Sequence, residues 1–300
     1  MNENSKVFFI INKYSGAGFR SELEGLIVSQ CDTLNLECTI EFTQERGHAK
    51  ELARKAASLG FTKVFAVGGD GTVNEVAQGL VHSNIAMGII PKGSGNGLAR
   101  HLHIPMNIRK SVEIVRSQKT IRMDTLKINN KLSVNVSGIG FDGHVAGLFG
   151  KNGKRGLFGY MKLVTKEFFR FKEFPIEITV DDNLMHRNTF ILALANSSQF
   201  GNNATVSPYA SICDSFMDIC FIKKVPLYQS IGFANKLFSG QIDTSDFVEI
   251  IQAKKVNILF PKPMPYHIDG EPMDPESNFN VVLEPASLTI IVPDDPKLNH

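Results

Sequence analysis

Over the first third of the chain, short continuous apolar runs alternate with stretches in which apolar residues recur every three or four positions. Residues 7–12 form an apolar run that ends in the polar, glycine-bearing turn NKYSGAG. Helical spacing then carries Leu23, Leu26, Ile27 and Leu34. The pattern next predicts a strand at 39–43, an alanine-rich helix at 48–59 and a strand at 63–67. After the turn GGDG come a helix at 72–80, a strand at 86–90, the turn PKGSGNG and another helical stretch. Strands alternating with helices imply parallel strands joined by right-handed crossovers, hence an α/β, doubly wound sheet. Such sheets bind ligands beyond the carboxyl ends of their strands, and all three glycine-rich turns fall there.

Near Met123 the period shortens. Strand-like runs follow at 131–136, 176–180, 188–196, 217–223, 255–260 and 280–284, separated by turns. They predict an antiparallel sandwich or barrel, interrupted by helices at 159–174 and 227–239. The last strand, 288–292, can close either part. The reading is therefore two domains, α/β at 1–124 and a β-rich sandwich at 125–286, with 287–300 carried as packing back onto the first. No internal repeat or low-complexity linker is found.

Composition narrows the function classes. With 43% apolar residues a core can be buried, and 32 basic against 30 acidic residues leave a net charge of +2. That balance argues against nucleic acid as partner, which needs a basic excess or stripe. Cys31, Cys38, Cys213 and Cys220 form no Cys-x-x-Cys pair and lack clustered histidines, so reduced, mostly buried thiols are expected. The opening MNENSKVFFIIN runs straight into a strand, and no 18-residue apolar stretch occurs. The expected location is cytoplasmic, with any membrane contact made from the surface.

Three turns carry candidate chemistry. Gly68-Gly69-Asp70-Gly71-Thr72 follows a buried strand and opens a helix. Glycines let backbone approach a ligand, and a helix N-terminus attracts phosphate. Asp70 can there meet a phosphate-bound metal or a hydroxyl proton. Alone, this would be a tight turn with Asp70 or Thr72 as helix cap. Pro91-Lys92-Gly93-Ser94-Gly95-Asn96-Gly97 and Asn12-Lys13-Tyr14-Ser15-Gly16-Ala17-Gly18 occupy equivalent positions, so a nucleotide-phosphate cradle is the favoured reading. None of the turns has the P-loop or dinucleotide-fold spacing.

The segments GGDGTVNEVAQGL and PKGSGNGLAR, with Ile268-Asp269-Gly270-Glu271 far downstream, resemble the diacylglycerol kinase catalytic-domain family, which includes bacterial soluble lipid kinases and the sphingosine and ceramide kinases. The likeness runs over nearly the whole chain. It implies a kinase with its active site in the cleft between a nucleotide-binding domain and a lipid-acceptor domain. It implies ATP contacts at Asn12, Lys13, Ser15, Gly16, Thr43, Gly69, Asp70, Gly71, Thr72, Asn74, Glu75, Ser94 and Asn96. Lys13 stands where the family usually has proline. Glu271 is implied as the base for the acceptor hydroxyl, with Asp269 or Asp70 assisting, although Asp-Gly is also a common hairpin turn.

A structural Mg²⁺ is implied at Ser211, Asp214 and Phe216, the outer two through backbone oxygens, with Asp124 in support. Ser215 replaces the family's glycine there. The basic and aromatic segments 150–160 and 166–172 suit either a membrane surface or a solvated helix face.

Together these readings give an ATP- and Mg²⁺-dependent lipid kinase, cytoplasmic and transiently at the inner membrane face, with a homodimer as one option. Diacylglycerol, phosphatidylglycerol and a sphingoid base stay open as acceptors. The rivals are a kinase for NAD or a sugar phosphate, and a non-catalytic nucleotide- or lipid-binding regulator.

Overall fold

The computed structural model describes residues 6–16, 22–151 and 157–294, with backbone alone at 150, 151 and 157–162. The chain divides into two compact units, Met1–Asp124 with Pro285–His300, and Thr125–Glu284.

In the first unit the order is β1 (Lys6–Ile11), α1 (Glu22–Thr33), β2 (Glu37–Phe42), α2 (His48–Ser58), β3 (Lys63–Gly68), α3 (Asp70–Leu80), β4 (Ala86–Pro91), the short helices α4 (Gly97–His101) and α5 (Ile108–Val112), and the start of β5 (Thr120–Ile128). Parallel pairing gives the sheet order β2-β1-β3-β4. The chain thus winds one way from β1 to β2 and the other way from β3 to β4. The switch lies between β1 and β3, where such sheets open a crevice at their carboxyl ends. β1, β3 and β4 are apolar at almost every position because both sheet faces are covered. Phe9 stacks on Phe65 at 4.8 Å between centroids, within a core that includes Val7, Ile11, Leu23, Ile27 and Cys31.

The second unit contains β6 (Lys131–Ser133), β7 (Val136–Gly140), α6 (Phe141–Lys151), α7 (Leu157–Phe168), β8 (Phe174–Val180), β9 (Asn183–Thr189), β10 (Ile191–Ala195), β11 (Met217–Ile222), α8 (Ser230–Ser239), β12 (Val248–Ala253), β13 (Lys255–Ile268) and most of β14 (Glu271–Ile291). Antiparallel pairing runs β12-β11-β10-β7-β13-β14. β13 serves two partners: Val256–Leu259 pair with β8, and Tyr266 and His267 pair with β7. Register shifts on either side of Met264 allow the change of partner. Inward residues of these strands, among them Ile178, Leu194, Ile219, Ile258, Tyr266 and Phe279, form one core cluster.

Several sequence expectations need correction. The strand expected at 131–136 is two, because the N–H groups of Val134 and Asn135 leave the ladder to bond Asp269. The strand expected at 188–196 breaks at Phe190, and Asn188 belongs to β9, a mostly polar hairpin partner of β8. The runs at 255–260 and 280–284 extend until they meet at Asp269 and Gly270. The helix expected at 159–174 ends at Phe168, and the one at 227–239 begins as a 3-10 turn, Leu227–Gln229. β12 and α6 were not expected; α6 holds three glycines, which weaken its helix signal. The chain's end lies with the first unit, where Ile290 pairs in parallel with Met87 of β4.

Candidate functional site

The turns after β1, β3 and β4 form one packed backbone floor. A Cβ on Gly69 would lie 3.2 Å from both Gly93 Cα and Ser15 Oγ, and one on Gly93 would lie 2.6 Å from Gly69 Cα. Gly16, at φ 65°, is closer still to the Lys92 carbonyl, 1.9 Å from an added Cβ. Only glycine allows so close an approach. The Lys92 ammonium rivets the first turn to the third, donating to the carbonyls of Asn12 (3.2 Å), Lys13 (3.3 Å) and Ser15 (2.5 Å). Burial pulls its pKa down from the usual lysine value. Asn12 joins the first turn to the second by donating from Nδ2 to Thr72 Oγ1 at 3.1 Å. The first turn of α3 adds N–H groups that have no acceptor within the helix.

Asp70 sits at the centre of this floor with both oxygens engaged. Oδ2 accepts the Asn96 N–H and Oδ1 the Gly97 N–H, each at 2.8 Å, which caps α4. Asn96 is held at φ 53° while its side chain bonds both backbone groups of Gly93, at 3.0 and 2.8 Å. Glu75 has a similar duty: its oxygens accept the N–H groups of Gly47 (2.8 Å) and Ala49 (3.2 Å) at the start of α2. Asn74 is buried and accepts from Gln78 at 2.7 Å along α3. Thr43 is buried after β2, its N–H on the Ile11 carbonyl at 3.0 Å. Lys13 is exposed, its ammonium 3.8 Å from the centre of the Phe42 ring, and Ser94 is exposed at the third turn. The structure thus gathers Asn12, Ser15, Gly16, Gly69, Asp70, Gly71, Thr72 and Asn96, and sets Asn74 and Glu75 along the α2–α3 contact. Ala17 and Gly18 lie outside the described residues. Lys92 escaped the sequence reading, although a lysine directly after a buried strand, inside a glycine turn, was the available signal.

In the second unit, Asp269 and Gly270 join β13 to β14 with φ of 49° and 87°, and Ile268 faces Glu271. This is the two-residue hairpin turn that Asp-Gly prefers. Asp269 is buried and its carboxylate is fully used: Oδ1 accepts from Ser133 Oγ (2.6 Å) and Asn135 N (3.1 Å), and Oδ2 from Val134 N (2.9 Å). Gly270 N–H donates to His267 Nδ1 at 3.1 Å, which leaves the ring proton on Nε2. Nε2 lies 3.3 Å from the buried Asp142 Oδ2, without the alignment of a hydrogen bond. Glu271, partly exposed at the start of β14, is the motif's other carboxylate. His267 and Asp142, neither of them singled out by the sequence, support the turn from below.

The segment implied as a metal site is a tight turn. Asp214 Oδ1 accepts the Phe216 N–H at 3.0 Å, and Ser211 Oγ accepts the Cys213 N–H at 3.4 Å. Ser215 has φ 65°, so the loop keeps a glycine-like conformation without a glycine. Among the described residues no three His, Cys, Asp or Glu side chains gather as a metal cluster. Asp124, at the edge of the first unit, is buried and accepts the Ala286 N–H at 2.7 Å. Of the basic and aromatic segments, the side chains at 150–160 lie outside those described. In 166–172, Phe169 is exposed, and the Phe171 ring packs against Phe141, Phe174 and Phe190.

An α/β unit with a floor of glycine turns, followed by an antiparallel β unit carrying an acidic hairpin, defines a phosphotransferase architecture. The diacylglycerol kinase catalytic domain matches residues 6–128, and the YegS C-terminal NAD kinase beta sandwich-like domain matches residues 135–292. The chain belongs to the diacylglycerol kinase catalytic-domain family and is a kinase of that type. It is 27% identical over 265 residues to a protein of Chromohalobacter salexigens named "Probable lipid kinase YegS-like", covering 86% of this chain and 85% of that one. It is 26% identical over 234 residues to a diacylglycerol kinase of Staphylococcus epidermidis, covering 76% and 74%. A crystal structure of a diacylglycerol kinase from Bacillus anthracis str. Sterne superposes with a TM-score of 0.77 at 21% identity, over 98% of this chain and 99% of that one. At that identity the likeness speaks for the fold alone.

Proposed function

We propose that the protein transfers the γ-phosphate of ATP to the hydroxyl of a lipid such as diacylglycerol, phosphatidylglycerol or a sphingoid base. The observation that carries the donor half is the convergence of three glycine turns beyond one end of a parallel sheet, with the backbones of Gly69 and Gly93 against each other and Ser15 Oγ beside Gly69. Such a floor presents N–H groups and a helix N-terminus to a polyphosphate. Lys92 and Asp70 hold its shape by binding the turns to one another. The lipid half is supported by family membership.

Phosphoryl transfer asks the protein mainly for positioning and charge neutralisation. Glu271 takes the proton of the acceptor hydroxyl as the alcohol oxygen bonds to the γ-phosphorus and the bond from that phosphorus to the β,γ-bridging oxygen breaks, releasing ADP. Asp269 keeps the hairpin fixed and so holds Glu271 in place. Bound Mg²⁺ supplies neutralisation of the charge on the transferred group. The Asp214 carboxylate and the carbonyls of Ser211 and Phe216 are hard oxygen donors that would suit a second Mg²⁺.

The test is ADP release from Mg-ATP with micellar lipids, NAD and sugar phosphates as acceptors. Release stimulated by a lipid, abolished in Glu271→Gln while ATP still binds, is the expected result. NAD phosphorylation without lipid turnover would overturn the acceptor. ATP binding without turnover on any acceptor would make the protein a binding module.

A further inference from the structure

The second unit carries an apolar surface that its own packing does not use. Leu227, Tyr228, Ile231 and Phe238 are 60, 83, 79 and 52% exposed. Single exposed apolar residues are ordinary. Here four of the eleven large exposed ones among the described residues fall within twelve consecutive positions. Leu227 and Tyr228 lie four and three residues before Ile231, and Phe238 seven after it, so the helical segment presents them on one side. The other side is already anchored: Phe233 and Leu237 pack against the cluster of Val136, Ala193, Cys220 and Ile222. The Leu237 carbonyl also accepts the Thr205 N–H at 3.0 Å. α8 therefore has an apolar inner face that holds it to the unit and a second apolar stripe in solvent.

Charge selects the partner. Between Lys223 and Gln241 there are three lysines and no aspartate or glutamate. The Lys236 ammonium donates to the Thr244 carbonyl at 2.8 Å and that of Lys224 to the Phe171 carbonyl at 2.6 Å, while the backbone N–H of Lys224 donates to Glu173 Oε1 at 2.7 Å. An apolar stripe among cations matches a phospholipid surface, whose acyl boundary accepts the side chains and whose phosphates accept the ammonium groups. No helix among the described residues is long and apolar enough to cross a membrane, so the contact is with one face.

We propose that α8 and the turn before it dock the protein on an anionic phospholipid surface, with Leu227, Tyr228 and Ile231 entering the interface. The proposal rests on the lipid-acceptor reading for its purpose, since a hydroxyl held in a bilayer must be met at the bilayer's surface.

The chain has no tryptophan, so Ile231→Trp installs a single fluorescent reporter. With vesicles of phosphatidylglycerol and phosphatidylcholine, its emission should move to the blue and be quenched by brominated acyl chains. Raising salt should weaken binding. The triple variant Leu227→Ser/Tyr228→Ser/Ile231→Ser should lower the vesicle-bound fraction at least about tenfold, because each large apolar side chain contributes on that order. Its turnover on a water-dispersed short-chain acceptor should stay that of the parent chain. Emission unchanged by vesicles would overturn the proposal. So would a blue shift without vesicles at a dimer mass by light scattering, which would assign the stripe to a second copy. Vesicle binding is read without ATP, so loss of the kinase reading and loss of the docking surface are separate results.

Discussion

The two carboxylates of the Asp269-Gly270-Glu271 turn have different work, and their surroundings say which is which. Asp269 satisfies Ser133, Val134 and Asn135 from a buried position. Asp269→Ala orphans those donors and puts alanine at a positive φ, costing roughly 3 kcal/mol or more. Calorimetry should show its melting temperature well below the parent's, with Glu271→Gln within about a degree. A parent-like midpoint for Asp269→Ala would return that residue to the list of bases. His101, partly buried at the end of α4, gives a pH dependence. Burial, with a smaller contribution from the charge of His103, lowers its pKa to about 4 from 6.5. The unfolded chain therefore takes up this proton first. The contribution is complete above pH 6.5 and is lost as pH falls toward 4. Denaturant midpoints should decline through that window, and His101→Gln should flatten the decline above the carboxylate range.

At the scale of elements, α3 caps its neighbours. Asp70 holds the start of α4 and Glu75 the start of α2, where Gly47 at φ 87° has no side chain to serve as cap. Glu75→Ala should cost about 1–2 kcal/mol and speed amide exchange at residues 47–51. Unchanged exchange there, with ATP binding lost, would make Glu75 a ligand group instead. These duties explain what the sequence displayed and what it hid. Glycine turns after apolar runs were legible because both signals are local, and the resemblance added the order of the motifs. Partners 26 to 28 residues away, such as Asn96 for Asp70 and Gly47 for Glu75, leave no local trace. The split between β6 and β7 was hidden for the same reason, since it depends on a carboxylate more than 130 residues downstream. α6 was hidden by its glycines, and β9 by a polar sequence that its hairpin pairing overrides.

On the scale of the whole molecule, the first unit is not a contiguous length of chain. Its sheet takes its last strand from the far end of the sequence, where Leu288, Ile290, Ile291 and Val292 are fully buried. Ser117 Oγ donates to the Val292 carbonyl at 2.6 Å, and Val292 N–H to the Lys119 carbonyl at 3.0 Å. Removing one buried aliphatic side chain costs about 2–5 kcal/mol, and a domain's whole stability is about 5–15 kcal/mol. Four such losses, together with an exposed edge on β4, exceed what the unit can absorb. A chain ending at Glu284 should therefore lose ATP binding and the circular-dichroism signal of α1 to α3. The contiguous second unit should keep its β signal, because its own strands and core remain. ATP binding with a cooperative melt in that shortened chain would show that the glycine-turn floor stands without the final strand. Loss of both, with β signal retained, would make residues 285–292 as necessary to the nucleotide site as the turns themselves.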